Sequence, residues 1–368
     1  MTECAIHEVY AQYELPGELV SITPFGKGLI NRTYEIIQQE GEDLQRRYVL
    51  QCINHTIFPD VEGLMNNILL VTDFLKGKSQ ARGGNPERET LTVVMARDGK
   101  PFVQAADGSY WRIYPFVEGT FVLDQVENDE QFYETGRSFG AFQAELSDFD
   151  ATQLVEVIPM FHDTRNRYRQ FEEAVLADAA GRVKDLTAEI DFVRQRKADC
   201  FFLYDLLDAG DIPLRVTHND TKLNNILMDN DTKKGICIVD LDTIMPGISL
   251  FDFGDSIRYG ANDCAEDEAD MNKVNFDAHL FEVYARGFLA GANGLLTERE
   301  VELLPWGARV ITLEQGIRFL TDYINGDVYY GTTRPGQNLD RTHTQFKLVQ
   351  DMETQWDELQ AIIARSRG

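Results

Sequence analysis

The stretch His218-Asn219-Asp220-Thr221-Lys222-Leu223-Asn224-Asn225, followed after a short turn by Ile238-Val239-Asp240-Leu241-Asp242, constrains this chain more than any other. Its pattern is H-x-D-x-x-x-x-N and then an apolar strand ending in an acid. Ile226-Leu227-Met228 and Ile236-Cys237-Ile238-Val239 flank Asp229-Asn230-Asp231, which predicts two strands around a turn and returns Asp240 towards Asn225. A single Asp in a loop is ordinarily a cap or turn residue, and a single His a satisfied structural group. The information lies in the combination.

Phosphoryl transfer is the chemistry that asks for such a combination, because it consists mostly of positioning and charge neutralisation. A base must stand beside the acceptor hydroxyl while oxygen donors hold magnesium on the nucleotide phosphates. Asp220 is the candidate base. Asn225 is far enough round the loop to point at a metal instead of the acceptor, and Asp240 closes the site from the neighbouring strand.

The rest of the chain limits the context. A length of 368 residues suits two domains, and 43% hydrophobic with 26% charged residues is ordinary for a soluble globular protein. There is no run of about 18 apolar residues, so no membrane span is expected. The start, Met1-Thr2-Glu3-Cys4-Ala5-Ile6-His7-Glu8, has neither the basic nor the apolar region of a secretory signal. Cys4, Cys52, Cys200, Cys237 and Cys264 show no paired spacing, which fits a reduced cytoplasm. A net charge of −26 without a basic patch argues against nucleic acid as a partner. Oligomeric state is not encoded in any motif.

In chain order, a helix around Ile6 to Tyr13 precedes a strand at Leu19–Ile22, a glycine turn at Gly26-Lys27-Gly28, and a returning strand at Thr33–Ile37. Such a turn can lay backbone N–H groups over phosphates; alone it is also a plain hairpin turn. Tyr48–Ile53 reads as a third strand, Asp60–Leu75 as a helix, and Gly77–Pro86 as a loop. Leu91–Phe116 reads as three strands joined at Asp98-Gly99 and Asp107-Gly108. After Tyr110-Trp111-Arg112-Ile113-Tyr114-Pro115-Phe116-Val117-Glu118-Gly119 the patterns turn helical: one buried face at Phe132, Gly136, Phe139, Phe142 and Leu146, a helix-rich stretch from Phe171 to Leu207, then Asp267–Leu289, Glu298–Ile324 and Thr344–Ala364. The expected division is an N-terminal nucleotide-binding lobe at 1–115 and a helical lobe with the catalytic loop at 116–368.

A small β-rich lobe joined to a larger helical lobe carrying H-x-D-x-x-x-x-N resembles the protein-kinase-like α+β fold, and His218-Asn219-Asp220 resembles its aminoglycoside phosphotransferase and choline kinase branch. Leu214 to Leu227, Ile244-Met245-Pro246-Gly247, Phe251 to Arg258, Gly316 to Tyr323 and Gly326-Asp327-Val328-Tyr329 are similar to the N-acetylhexosamine 1-kinases. The resemblance runs from about Pro24 to the C-terminal helix. It implies ATP as co-substrate, Mg2+ held by Asn225 and Asp240, and Asp220 as the base that takes the anomeric proton. It implies Gly26, Gly28, Phe116 and Val117 at the nucleotide, and Asp220, Arg318 and Tyr329 at the sugar. From the residues alone, Arg318 inside an apolar run is either aimed at a ligand or paired with Asp322 at i,i+4. Asp252, in Phe251-Asp252-Phe253-Gly254, imitates the metal-binding Asp-Phe-Gly of protein kinases, but it follows a Pro-Gly turn and is expected to be structural.

Departures from the pattern are also specific. Gln51 occupies the third-strand position where kinases of this fold carry a Lys, which leaves Glu62 without its usual partner. Lys222 and backbone N–H groups near Gly28 are then expected to supply positive potential at the phosphates, Lys222 as part of the catalytic set. Leu29 stands where the hexosamine kinases usually have His. The alternatives are a same-fold kinase for a hexose, choline or an aminoglycoside, and a catalytically dead nucleotide-binding module.

Overall fold

Apolar runs separated by tight polar turns build an antiparallel sheet from β1 (Glu18–Pro24), β2 (Arg32–Glu40), β3 (Leu44–Ile53), β4 (Val103–Gln104) and β5 (Tyr110–Pro115), in the order β1-β2-β3-β5-β4. Alternation sorts the side chains. Leu50 on β3 with Trp111 and Ile113 on β5 face Ile6 and Val9 of α1 (Glu3–Tyr10) in one buried cluster. Gln51 and Arg112, directly opposite each other in the β3–β5 register, belong to the other face. On that side α2 (Val61–Ala81), N-capped by Asp60, brings Met65 Sδ within 3.8 Å of Arg112 Nη1. A second sheet pairs β6 (Thr120–Phe121) with β8 (Ile226–Asp229), and β8 with β9 (Gly235–Ile238). β7 (Arg215–Thr217) precedes the loop from His218 to Asn225.

This computed structural model describes residues 3–26, 30–42, 44–262 and 264–367. They divide into a unit of Met1–Phe121, Thr152–Ile158 and Leu227–Met245, and a unit of Val122–Ala151, Pro159–Ile226 and Pro246–Gly368. The division differs from the expected boundary at 115: the first unit continues to Phe121 and takes in the hairpin that carries Asp240.

The second unit is helical. Its helices are α4 (Asp129–Glu145), α5 (Thr164–Ala177), α6 (Thr187–Gln195), α7 (Lys197–Ala209), α8 (Ser249–Gly260), α9 (Ala278–Ala292), α10 (Glu298–Glu302), α11 (Leu304–Ile324), α12 (Gln337–Thr354) and α13 (Trp356–Ser366); the short α3 (Pro86–Glu89) lies in the first unit. Leu313, Ile317 and Leu320 of α11 share a buried cluster with Phe171, Ile190 and Val193. α8 and α11 approach backbone to backbone: a Cβ at Gly254 would stand 2.4 Å from the Gly307 carbonyl oxygen. This contact sets the helix bearing Asp252, Asp255 and Arg258 against the one bearing Glu314, Arg318 and Asp322. No helix among the described residues is long and apolar enough to cross a membrane.

Several local expectations change. Of three strands expected over Leu91–Phe116, the first is reduced to isolated bridges, Tyr13 with Ala96 and Val94 with Ile113. The helix through Leu75 continues past Gly77 to Ala81. The helix expected from Asp267 starts only at Ala278, where Asp277 caps it by accepting the His279 and Leu280 N–H groups.

Candidate active site

In the second unit the loop from His218 to Asn225 hangs on one buried carboxylate. His218 and Asn219 donate their backbone N–H groups to Asp252 Oδ2 and Oδ1, each at 2.8 Å, and Gln143 Nε2 donates to Oδ2 at 2.6 Å. Burial pushes the Asp252 carboxyl above its ordinary range, and the His218 side chain and these N–H groups pull it back. Thr221 Oγ1 donates to the Asp252 carbonyl and its N–H to Asp255 Oδ2. Asn219 adopts φ 64°, a left-handed conformation that Asn tolerates. With its oxygens committed to the loop, Asp252 shapes the backbone that presents Asp220.

Asp220, Lys222 and Asn225 come together. Lys222 Nζ lies 2.6 Å from Asp220 Oδ1, and although burial alone would depress the ammonium, Asp220 holds its pKa above the ordinary value. Asn225 Nδ2 donates to the Asp220 carbonyl at 2.8 Å and faces Asp220 Oδ2 at 3.3 Å. The Asn225 amide nitrogen is thus turned to Asp220. Asp255, paired with Arg258 at 3.0 Å, is lowered by Arg258 and Lys222 in spite of burial.

Arg318 sits on α11 with little of its side chain exposed, its guanidinium 5.3 Å from the Phe161 ring and 5.7 Å from the Tyr330 ring. Of the two alternatives read from the sequence, the pairing with Asp322 is not formed among the described residues. Its nearest carboxylate is Glu314 Oε1, one turn earlier, at 3.8 Å, and among the described residues its hydrogen bond is to Gln315 Oε1 at 3.2 Å. Asp322 is committed to the loop beyond α11, where it accepts the N–H groups of Val328, Tyr329 and Tyr330. That loop leaves Tyr329 exposed, its ring 4.8 Å from Tyr330. Arg167 lies close enough for Arg318 to depress it, after burial.

Glu314 and His162 were not legible in the sequence. Glu314 is buried and its Oε1 meets His162 Nδ1 at 3.0 Å, while His162 Nε2 stands 3.3 Å from the carbonyl oxygen of Asn219, the residue before Asp220. His162 thus stands between α11, which carries Arg318, and the loop from His218 to Asn225.

In the first unit Asp240 follows β9 in a left-handed conformation, φ 60° and ψ 55°, and opens the turn Leu241–Thr243. Gly26 has φ 75° and open space where a Cβ would stand; Gly28 and Leu29 lie outside the described residues. Phe116 packs edge-on to Phe25, with ring centroids 5.9 Å apart, beneath the Arg47 guanidinium, and Val117 is buried. Gln51 contacts Arg112, whose Nε and Nη2 donate to Gln51 Oε1 at 3.0 and 2.8 Å. Arg112 was passed over in the sequence, although it interrupts an apolar strand just as Arg318 interrupts an apolar helix.

Among the described residues no group of three or more His, Cys, Asp and Glu gathers where it could hold a metal ion.

A family model described as "Phosphotransferase enzyme family" matches residues 21–289. Among solved structures, the chain is similar to an amicoumacin kinase in complex with AMP-PNP and Ca2+ (TM-score 0.62, 14% identity, covering 94% of this chain and 93% of that one). It is similar to a microcompartment-associated aminopropanol kinase (TM-score 0.59, 15% identity, 97% and 98%). It also resembles an aminoglycoside phosphotransferase from Alicyclobacillus acidocaldarius (TM-score 0.56, 15% identity, 98% and 95%). The fold is protein-kinase-like, with a small antiparallel β-sheet part and a helical part.

Proposed function

The chain belongs to the phosphotransferase enzyme family, and from that premise we propose that it is an ATP-dependent kinase of N-acetylhexosamines, forming the sugar 1-phosphate and ADP. Asp220 accepts the proton of the anomeric hydroxyl. Lys222, 2.6 Å from that carboxylate, orients it and brings positive charge to the transferring phosphoryl group. Asn225 and Asp240 are the metal ligands, and Mg2+ bound there neutralises the charge on the nucleotide phosphates. Gly26, Gly28, Phe116 and Val117 hold the nucleotide. Arg318 and Tyr329 hold the sugar.

The observation that carries the choice of acceptor is Arg318. Its guanidinium, next to Arg167 and partly bonded, has N–H groups left for an uncharged oxygen such as an amide carbonyl or a ring hydroxyl. Two guanidinium groups against the one Glu314 carboxylate disfavour choline, amino alcohols and aminoglycosides, although proteins of similar fold act on acceptors of that kind. The test is a panel of sugars, choline, aminopropanol and an aminoglycoside with ATP and Mg2+, followed by phosphorus NMR, which reports both turnover and the position phosphorylated. An anomeric phosphate on GlcNAc or GalNAc is the expected product. Transfer confined to the amines would refute the reading.

A further inference from the structure

In protein kinases a third-strand lysine grips the nucleotide phosphates, and here the third strand carries Gln51. The cation on this face of the sheet comes from the paired strand instead. Arg112 is opposite Gln51 in the β3–β5 register and gives both Nε and Nη2 to its side-chain oxygen. Its Nη1 lies 2.5 Å from Asp242 Oδ1. The Tyr114 ring stacks 5.2 Å from the guanidinium, and only 1% of the side chain is exposed. A guanidinium enclosed this way has no face left for a phosphate, so Arg112 does not replace the lysine by touching the nucleotide.

Its partner explains it better. Asp242 is buried in the turn that Asp240 opens, and Asp242 Oδ2 accepts from Asn31 Nδ2 at 2.5 Å. Asn31 Oδ1 in turn accepts the Asn54 N–H at 3.0 Å. The far end of the turn is fixed as well, since Asn67 Nδ2 donates to the Ile244 carbonyl at 2.9 Å. Asp240 and Asp242 place like charges two positions apart in one short turn. A buried carboxylate without a partner is strongly unfavourable, and the Arg112 guanidinium compensates the charge of Asp242. Arg112 itself, although burial would lower it, is held above its ordinary pKa by Asp242 and by Tyr114.

We propose that Arg112 is a positioning residue which, by clamping Asp242 between β5 and Asn31, fixes the turn that aims Asp240 at the nucleotide-bound metal. The cation usually placed on the third strand has thus moved across the strand pair and acts through the metal ligand instead of on the phosphates. This rests on the reading of Asp240 as a ligand.

The experiment measures Mn2+ binding to the full-length protein with ADP, by electron paramagnetic resonance, alongside ADP binding without metal and thermal unfolding. Asp240→Ala serves as the reference. Arg112→Gln is expected to weaken Mn2+ binding at least about tenfold per folded molecule, the usual scale for losing a group that orients a metal ligand, with metal-free ADP binding unchanged. Gln51→Lys combined with Arg112→Gln returns a cation from the opposite strand and should recover part of the lost affinity. Should Arg112→Gln fail to fold, Asp242→Asn probes the same clamp with almost no change of shape and should show the same weakening. Normal Mn2+ affinity in folded Arg112→Gln or Asp242→Asn, with Asp240→Ala impaired, overturns the role of Arg112. Normal affinity in Asp240→Ala instead overturns the reading of Asp240 as a ligand and leaves the clamp without its function.

Discussion

The backbone N–H of Tyr329 donates to Asp322 Oδ1 at 2.7 Å. The same carboxylate also takes the N–H groups of Val328 and Tyr330, at 3.0 and 2.9 Å, and Asn338 Nδ2 at 3.0 Å. One buried acid therefore shapes the loop that presents both tyrosines. Asp322→Ala should release that loop, raising the acceptor KM about tenfold with little change in the KM for ATP. Losing several charge-assisted bonds, each worth roughly 1.5–3 kcal/mol, should also lower the unfolding midpoint by more than about 5 °C. An unchanged acceptor KM in the folded variant would show that the loop does not reach the acceptor.

Asp220→Asn retains the shape that Lys222 and Asn225 pack around but removes the proton acceptor. The expected fall in kcat is about 10²–10⁴-fold, with ATP affinity nearly intact, measured by steady-state kinetics and nucleotide titration. A variant that keeps more than about a tenth of the activity excludes Asp220 as an important base.

Asp240 and Asp252 part company in experiment. Asp240→Ala should shift the Mg2+ dependence of turnover to higher concentrations and lower activity. Asp252→Ala leaves the His218 and Asn219 N–H groups unbonded in a buried site, at about 1–3 kcal/mol each, and acts through stability. Magnesium titration beside thermal unfolding separates them; a magnesium defect confined to Asp252→Ala would reverse the assignment.

How much of this was legible in the sequence depended on whether the signal was local. The strands around Gly26 and Asp107-Gly108, the long helices and the loop from His218 to Asn225 carry their own turn chemistry and periodicity, and the sequence places them. Asp240 announced itself by ending an apolar strand. What could not be read was which of several equivalent partners wins. Arg318 has an acid four residues away on either side, and spacing does not distinguish them; the choice fell to Glu314 because Asp322 is taken up by loop amides distant in the helical pattern. The pairing of Gln51 with Arg112 depends on a strand register between residues 61 positions apart, and the contact of His162 with Glu314 spans 152. Asp277 shows the opposite case: the signal is local, an Asp directly before Ala278, yet a helical pattern taken from Asp267 passes over it.

Glu314 sets a pH dependence. Burial alone would raise its carboxyl, but His162, Arg318 and Arg167 hold it below the ordinary value. The folded protein therefore binds this proton more weakly than the unfolded chain, so the stabilisation is present above the ordinary carboxylate pKa of about 4.3 and is lost as pH falls through the lowered folded value. Unfolding midpoints measured between about pH 3 and pH 6 should fall steeply towards acid, and Glu314→Gln should flatten the fall. Equal slopes in the two proteins would place the acid sensitivity elsewhere.

The acceptor prediction turns on the same helix. Arg318→Ala and Tyr329→Phe should each impair hexosamine use without affecting ATP binding, Arg318→Ala more strongly, since a charge-assisted hydrogen bond is worth roughly 1.5–3 kcal/mol, or about ten- to a hundred-fold in kcat/KM. Its cost in stability should be small, because Glu314 keeps His162 as a partner and Arg167 is relieved of a neighbouring like charge. Arg318→Lys retains the charge but loses the planar fork, so it should recover little if the guanidinium bonds two acceptor oxygens. Sugar titration of each folded variant, with ATP binding as control, measures this. Unchanged sugar affinity in Arg318→Ala together with a lowered unfolding temperature would make Arg318 a structural partner of Glu314 and remove it from the site.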